Sequence, residues 1–396
     1  MLTDHLPHGD GLVAHGFIRR LADRGHRLFI AAEQVSLERP LPPTVEVFPL
    51  QRRFGAGGLG RLEYMREVRK LYRSLERTVN FDLIHQLNPV YTGISLALWP
   101  MNKPLVLGPY VAEWPNDPDA IAGTGRVIRA LLRGMKKSLA RAQQRGAAAI
   151  LITTEEARLR VAPERRSSAH LLPHGLDSDF FSPSPTGGRS SDGSTVILFL
   201  ANISERKGIL DMLNAFDRLG SSFPDARLWI AGGGEHEQSS RAIASRLSCA
   251  GRIRFLGRQN REQALELYRM ADIYCLPSHG EPFGMTVAEA MSCGLPVVVT
   301  NSGGVRWIVD ADGGIRVPER APEELARALA ELISAPERRK KMGAHNRAKI
   351  LNQFTWDRVI DRLEEIYSDA MRSHAGAEMT LRPNSVQTPE GAEIYE

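Results

Sequence analysis

The sequence predicts an α/β protein made of two doubly wound domains that face each other across a cleft. Three observations carry this expectation. Short apolar runs alternate with helical periodicity along most of the chain, the pattern of a parallel sheet covered by helices. The alternation runs through two halves, parted by the Ser-, Gly-, Pro- and Asp-rich stretch DSDFFSPSPTGGRSSDGS at 177–194, a linker composition. At 396 residues the chain is long for one core and comfortable for two.

In the first half the strand candidates are 27–31, 45–49, 83–85, 105–107 and 149–153; in the second they are 196–200, 227–231, 253–256, 273–276 and 297–300. The expected domains are 1–185 and 186–355, followed by a closing helix at 356–372. Residues 373–396 lack periodicity and are expected to be disordered. In doubly wound sheets ligands bind outside the carboxyl ends of the strands, so chemistry is sought just after these runs.

Composition narrows the function classes. A hydrophobic content of 42% and a charged content of 24% are those of an ordinary globular protein. No apolar run reaches the roughly 18 residues of a membrane span, and no secretory signal is read at the start. Cys249, Cys275 and Cys293 have no ligand-like spacing and are expected to be buried thiols in a reducing cytoplasm. The net charge is +5, and the excess lies in the first half, where residues 1–185 hold 25 Lys and Arg against 18 Asp and Glu. That balance suits acidic surfaces or phosphorylated ligands; no module that reads nucleic acid is visible, so nucleic acid is not an expected partner.

Three motifs follow second-half strands. ANISERKGILDML (201–213) places Arg206 and Lys207 before a helix start near Gly208, a natural phosphate site, although two basic residues can also be a solvated surface. AGGGEHE (231–237) is a glycine turn closely approached by some ligand, but it is not the G-x-G-x-x-G dinucleotide fingerprint, which argues against a nicotinamide-dependent oxidoreductase. CLPSHGEPFGMTVAEAMSCG (275–294) sets Glu281 and Glu289 on either side of a Pro-Phe-Gly turn and a short helix. Two carboxylates across such a turn can grip a hydroxyl-rich ligand. Thr286 and Glu289 also have the S/T-x-x-E spacing of a capping box, and the sequence leaves both readings open.

Taken together these segments resemble retaining glycosyltransferases of family four. LPHGLDSDFFSP (172–183) is similar to that family's interdomain segment, with His174 where Asn is usual. GRIRFLGRQNREQALELYRMADIYCLPS (251–278) resembles the stretch before its E-x(7)-E motif, and FTWDRVIDRLEEIY (354–367) its closing helix. HGDGLVAHGFIRRLADRGH (8–26) resembles its glycine-rich loop and first helix. The resemblance implies a GT-B fold, two doubly wound Rossmann-like domains facing a cleft. It implies an enzyme that moves a sugar from a nucleotide-diphosphate donor, UDP-linked or GDP-linked, to a glycan or lipid-linked acceptor held by residues 1–185. The alternative of another class is a non-catalytic nucleotide-sugar-binding relative.

The resemblance also assigns roles. Glu281 contacts hydroxyls of the donor sugar, and Glu289 the ribose. Lys207 and Arg206 neutralise the diphosphate as charge collects on it. Gly284, Met285, Thr286, Asn202, Gly9 and Gly11 lie where the donor is bound, and Asn202 stands where the family often has Arg. His85 and Tyr110 are the acceptor-side candidates; the family often carries a His near the position of Tyr110. No metal or other cofactor is implied, and Asp310 and Asp312 in VDADGG are expected to form a turn rather than a metal site.

Two further expectations come from the first half. RVIRALLRGMKKSLARAQQR (126–145) carries seven Lys and Arg and no acid, with Ile128, Leu131, Leu132, Met135 and Leu139 on one helical face. It suits either a surface helix packed on its own sheet or a peripheral contact with anionic lipid on the cytoplasmic face of a membrane. Finally, only MLTDHLP precedes the glycine-rich loop, too little for the family's central first strand. That strand is expected to be missing, with the natural start upstream of Met1.

Overall fold

Seven strands of the first half pair into one all-parallel sheet, and six of the second half into another. The computed structural model describes all residues except 1, 7–9, 38–39, 51–57, 88–89, 91, 113–125, 186–192 and 382–396. In the first half the elements are β1 (Leu2–Leu6), α1 (Asp10–Asp23), β2 (Leu28–Val35), β3 (Val45–Pro49), α2 (Gly58–Leu75), β4 (Ile84–Gln86), β5 (Leu105–Tyr110), α3 (Arg126–Arg145), β6 (Ala149–Ile152) and β7 (Ala169–Leu171). The strand order is β3-β2-β1-β4-β5-β6-β7.

The second half contains β8 (Thr195–Leu200), α4 (Ile209–Leu219), β9 (Ala226–Ala231), α5 (Glu237–Ala244), β10 (Ile253–Gly257), α6 (Arg261–Met270), β11 (Ile273–Leu276), α7 (Met285–Ser292), β12 (Val297–Thr300), α8 (Val305–Ile308), β13 (Gly314–Val317), α9 (Pro322–Ile333), α10 (Pro336–Gln353) and α11 (Trp356–Leu381). Its order is β10-β9-β8-β11-β12-β13. Strands covered on both faces read as continuous apolar runs, and Val297, Val298 and Val299 are each fully buried.

Both sheets reverse their winding direction once, between β1 and β4 and between β8 and β11. Those reversals open crevices at the carboxyl ends, where loops diverge to either side. Helix α11 returns to the first sheet and buries Val359, Ile360, Leu363, Ile366 and Tyr367 against Phe17, Ile18 and Leu21 of α1. At the crossing, Leu176 N–H donates to the Phe354 carbonyl at 2.7 Å, so the two connections between the halves run side by side.

Two expectations need correction. The first strand is not missing: β1 lies inside the sheet, paired with β2 from Leu2↔Ala31 to Leu6↔Val35 and with β4 at Leu2↔Gln86. Its sequence, LTDHL, lacks the apolar run of its neighbours, yet backbone pairing asks only for N–H and C=O groups. The aperiodic tail does not begin at 373 either. Helix α11 continues to Leu381, through SHAGAEMTL, which is rich in helix-favouring Ala, Glu, Met and Leu.

Candidate active site

The Glu281 loop and the Lys207 turn meet at the switch point of the second sheet. Strand β8 ends at Leu200 and leads into a 3-10 turn, Glu205–Lys207, that closes on Gly208 in the left-handed region at φ 74°. Only glycine fits there: a Cβ on Gly208 would lie 1.9 Å from the Pro277 carbonyl oxygen. This close approach lays the turn directly on the loop that leaves β11, the strand next to β8. The Arg206 carbonyl accepts from His279 N–H at 2.8 Å and from Ser278 Oγ at 3.3 Å. Lys207 Nζ then donates to Glu281 Oε2 at 2.5 Å, and Ser278 Oγ, whose single hydrogen is shared between the two acceptors, lies 3.2 Å from the same oxygen. Glu281 is 6% exposed, so its charge is balanced by Lys207 rather than by water.

Behind Glu281, the turn after β12 clamps the loop. Gly304 N–H donates to the Glu281 carbonyl at 2.7 Å, Gly280 N–H to Ser302 Oγ at 3.2 Å, and Thr300 Oγ1 to the Ser278 carbonyl. His279 Nε2 lies 2.8 Å from Asp211 Oδ2 on α4, a second tie between loop and helix.

Glu289 lies in the second turn of the helix that follows this loop, and its cap reading fails. Helix α7 is capped by Gly284, at φ 91°, with no side-chain cap bond. Glu289 is therefore the fifth helical residue, two beyond the position a capping box needs. Its Oε2 instead accepts from the Tyr268 hydroxyl at 2.9 Å. Burial pushes the Glu289 carboxyl up to about 7, against a smaller opposing pull from the Tyr268 bond and the Arg261 charge. Thr286 Oγ1 lies 2.7 Å from the Tyr274 hydroxyl, which is also 3.0 Å from the Leu200 carbonyl oxygen. Met285 and Thr286 form the half-buried first turn of α7, whose leading N–H groups have no partner within the helix.

Other named residues fall as follows. Arg206 and Asn202 are exposed on the loop after β8, and Asn202 Oδ1 sits beside Gly234 of the glycine turn. Gly11 lies in the first turn of α1, and Gly9 is outside the described residues. The acceptor-side candidates are corrected: both are core groups. His85 is 1% exposed, with Nδ1 2.6 Å from the Tyr367 hydroxyl and Nε2 2.9 Å from the Gly108 carbonyl oxygen. The carbonyl must accept, so Nε2 carries the hydrogen and Nδ1 accepts from Tyr367. Burial drops its pKa to about 3, and α11 covers the ring. Tyr110 is 1% exposed and donates to the Val90 carbonyl at 3.0 Å; burial raises its pKa to about 12.

Asp310, Asp312 and His345 bring ligand atoms within 4.8 Å of one another. Asp310 Oδ2 already holds Lys349 Nζ at 2.8 Å, and Oδ1 accepts from Gly313 N–H at 3.1 Å in the turn before β13. That turn feeds the amino end of β13, away from the carboxyl-end crevice. Cys249, Cys275 and Cys293 are buried free thiols.

Sequence reasoning missed Ser278, His279 with Asp211, and Tyr268. The first two stand beside Glu281 in PSHGE, but their partners lie in other elements.

Known proteins resemble this chain in sequence and fold. A family model described as "Glycosyl transferases group 1" matches residues 186–349. Phosphatidyl-myo-inositol mannosyltransferase of Mycobacterium tuberculosis is 30% identical over 328 residues, covering 81% of this chain and 82% of that protein. The chain belongs to the group 1 glycosyltransferases. This glycosyltransferase is also 28% identical over 404 residues to D-inositol 3-phosphate glycosyltransferase of Geodermatophilus obscurus, covering 94% of the chain and 87% of that protein. The Anabaena HepE structure in complex with UDP superposes with a TM-score of 0.71 at 18% identity, covering 93% of this chain and 98% of that one. That likeness shows the fold, which is GT-B.

Proposed function

We propose that this glycosyltransferase transfers a sugar, with retention of anomeric configuration, from a nucleotide-diphosphate donor to a lipid-linked or glycan acceptor. The observation that carries the reading is the Lys207–Glu281 pair, set where the loops after the neighbouring strands β8 and β11 meet and backed by three bonds to residues 300–304. In this reading the diphosphate lies over the Arg206–Lys207 turn and the first N–H groups of α7. As the bond from sugar to phosphate breaks, charge gathers on the leaving diphosphate, and fixed cations and N–H dipoles stabilise it. Lys207 with Arg206 supplies the positive charge that a metal would otherwise bring. Glu281 accepts from hydroxyls of the donor sugar and Glu289 from the ribose.

A GDP-mannose-dependent mannosyltransferase of Corynebacterium glutamicum is among the relatives, at 30% identity over 216 residues, and HepE is found with UDP and with UDP-glucose. The base is therefore read by experiment. In a thermal-shift panel of UDP-glucose, GDP-mannose and an ADP-sugar, one donor is expected to raise the melting temperature in a concentration-dependent way without added metal. A shift that needs a divalent cation would refute the metal-free reading, and no shift with any donor would refute the donor site.

We also propose that the acceptor-binding half touches the cytoplasmic face of an anionic membrane. Among the described residues no helix is long and apolar enough to cross a bilayer. On α3, Met135 is 61% and Leu139 36% exposed, so these two members of its apolar stripe are not buried in the protein. On α2, Leu59 and Leu62 are 71% and 64% exposed, and both helices rest on the 3-10 turn Ile94–Leu98. Exposed apolar groups beside Lys137 and Arg145 suit the headgroup boundary of anionic lipid. Co-sedimentation with phosphatidylglycerol vesicles is expected at low salt. It should be lost at high salt or when Arg129, Arg133 and Lys136 become Gln. No binding at low salt would retire the membrane contact.

A further inference from the structure

The donor loop is also reached from across the cleft. Strand β6, in the first half, runs out through Thr153 and Thr154 into the 3-10 turn Glu155–Arg160. Arg306, in the second half, is the second residue of the short α8, just after the clamp on the Glu281 loop. Its Nε donates to Glu156 Oε1, joining residues 150 positions apart in sequence. Beside this pair the two halves are in direct contact. A Cβ on Gly304 would lie 2.0 Å from the Pro282 carbonyl oxygen and 2.8 Å from Thr154 Cγ2. A Cβ on Gly303, at φ 62°, would lie 2.2 Å from the Glu281 carbonyl oxygen. Glycine at both positions lets the turn lie flat between the Glu281 backbone and Thr154.

The contact is not fully satisfied. Thr154 is fully buried, and among the described residues its Oγ1 has no hydrogen-bond partner, nor has Glu156 Oε2. A buried polar atom left without a partner carries a desolvation cost that exposure removes when the halves separate. Such a contact is held by a specific tie rather than by packing alone.

We infer that Glu156 is a positioning residue for the transfer reaction: through Arg306 and the 300–304 turn it seats Glu281 only when the two halves are closed. The inference rests on the proposed role of Glu281. Thr300, Ser302 and Gly304 each bond the 278–281 loop, so a shift of their turn moves the Glu281 carboxylate relative to Lys207. Misplacement of a contacting group by about 1 Å can cost roughly a hundredfold in rate. The tie is unequally exposed, Arg306 at 51% and Glu156 at 16% of its side chain, so Glu156→Ala leaves a half-exposed guanidinium and should hardly affect folding, whereas Arg306→Ala leaves a mostly buried carboxylate and should lower the melting temperature.

The test measures acceptor-free hydrolysis of whichever of UDP-glucose or GDP-mannose raises the melting temperature, in Glu156→Ala, Arg306→Ala, the exchanged pair Glu156→Arg with Arg306→Glu, and Glu281→Gln. The two single variants are expected to lose roughly ten- to hundredfold in kcat with donor KM close to the parent's, and Glu156→Ala should also keep the parent's melting temperature. The exchanged pair should regain most of the loss. Parent-like kcat in both single variants, while Glu281→Gln is inactive, overturns the role of Glu156 and leaves that of Glu281 standing. An active Glu281→Gln overturns the donor-sugar role itself. Loss of kcat that tracks a fallen melting temperature, with no recovery in the exchanged pair, would make the contact structural and also overturn the inference.

Discussion

Glu281→Ala is expected to lower donor turnover by roughly 10²- to 10³-fold, the effect of removing one fixed group that contacts the reacting species. The variant should also melt earlier. Lys207 is 16% exposed at its side chain and would lose the carboxylate that faces it at 2.5 Å. Removing one partner of a buried pair costs roughly 3–5 kcal/mol, because the remaining charge is left poorly solvated. Stability and catalysis must therefore be separated. Glu281→Gln keeps the length and an oxygen that can accept from Lys207, so its melting temperature should lie nearer the parent's while turnover stays low. Steady-state kinetics with thermal melts of both variants decide the point. Near-normal transfer by Glu281→Ala would remove Glu281 from the donor site.

The second large effect is a change in pH dependence at Glu289. Burial holds this carboxyl at about 7, above the ordinary 4.5 that it regains on unfolding. Between those values the native chain binds the extra proton, so stability from this group is full below about 4.5 and is lost as pH rises through 7. The whole span corresponds to roughly 3–4 kcal/mol at most, since each unit is worth about 1.4. A ribose diol donates to the ionised carboxylate, so donor affinity should run the other way and strengthen as pH rises through 7. Glu289→Gln is expected to flatten both profiles. Relative to the parent it should melt higher at about pH 8 and bind the sugar nucleotide more weakly there. Melts and donor titrations at about pH 6 and about pH 8 read both slopes. Parent-like donor affinity in Glu289→Gln at both values would show that Glu289 does not hold the ribose.

Much of this was legible in the chain itself. Ten apolar runs identified the strands of two parallel sheets because parallel strands are covered on both faces and must be apolar throughout. The runs at 45–49, 273–276 and 297–300 match their strands residue for residue. Strands β1, β7 and β13 were not read, being short or polar: LTDHL, AHL and GIRV are held by backbone pairing that leaves no apolar signature. The two glutamates were visible as residues, and so was Lys207.

What the sequence determined by itself was the α/β class, the presence of two sheets and the inventory of charged groups after the strands. Those properties depend on neighbours within a few residues, through periodicity and turn chemistry. Tertiary structure decided how that inventory is used. Lys207 and Glu281 are 74 positions apart and meet because β8 and β11 are adjacent in the sheet. Glu289 had two readings until the helix start at Gly284 put it out of register for a cap and Tyr268 met its carboxylate. His85 and Tyr110 stood at strand ends like site residues; α11 returning to the first sheet covers His85, and the Val90 carbonyl takes the Tyr110 hydroxyl. Burial and pairing depend on which distant segments arrive at a point, and no local pattern carries that.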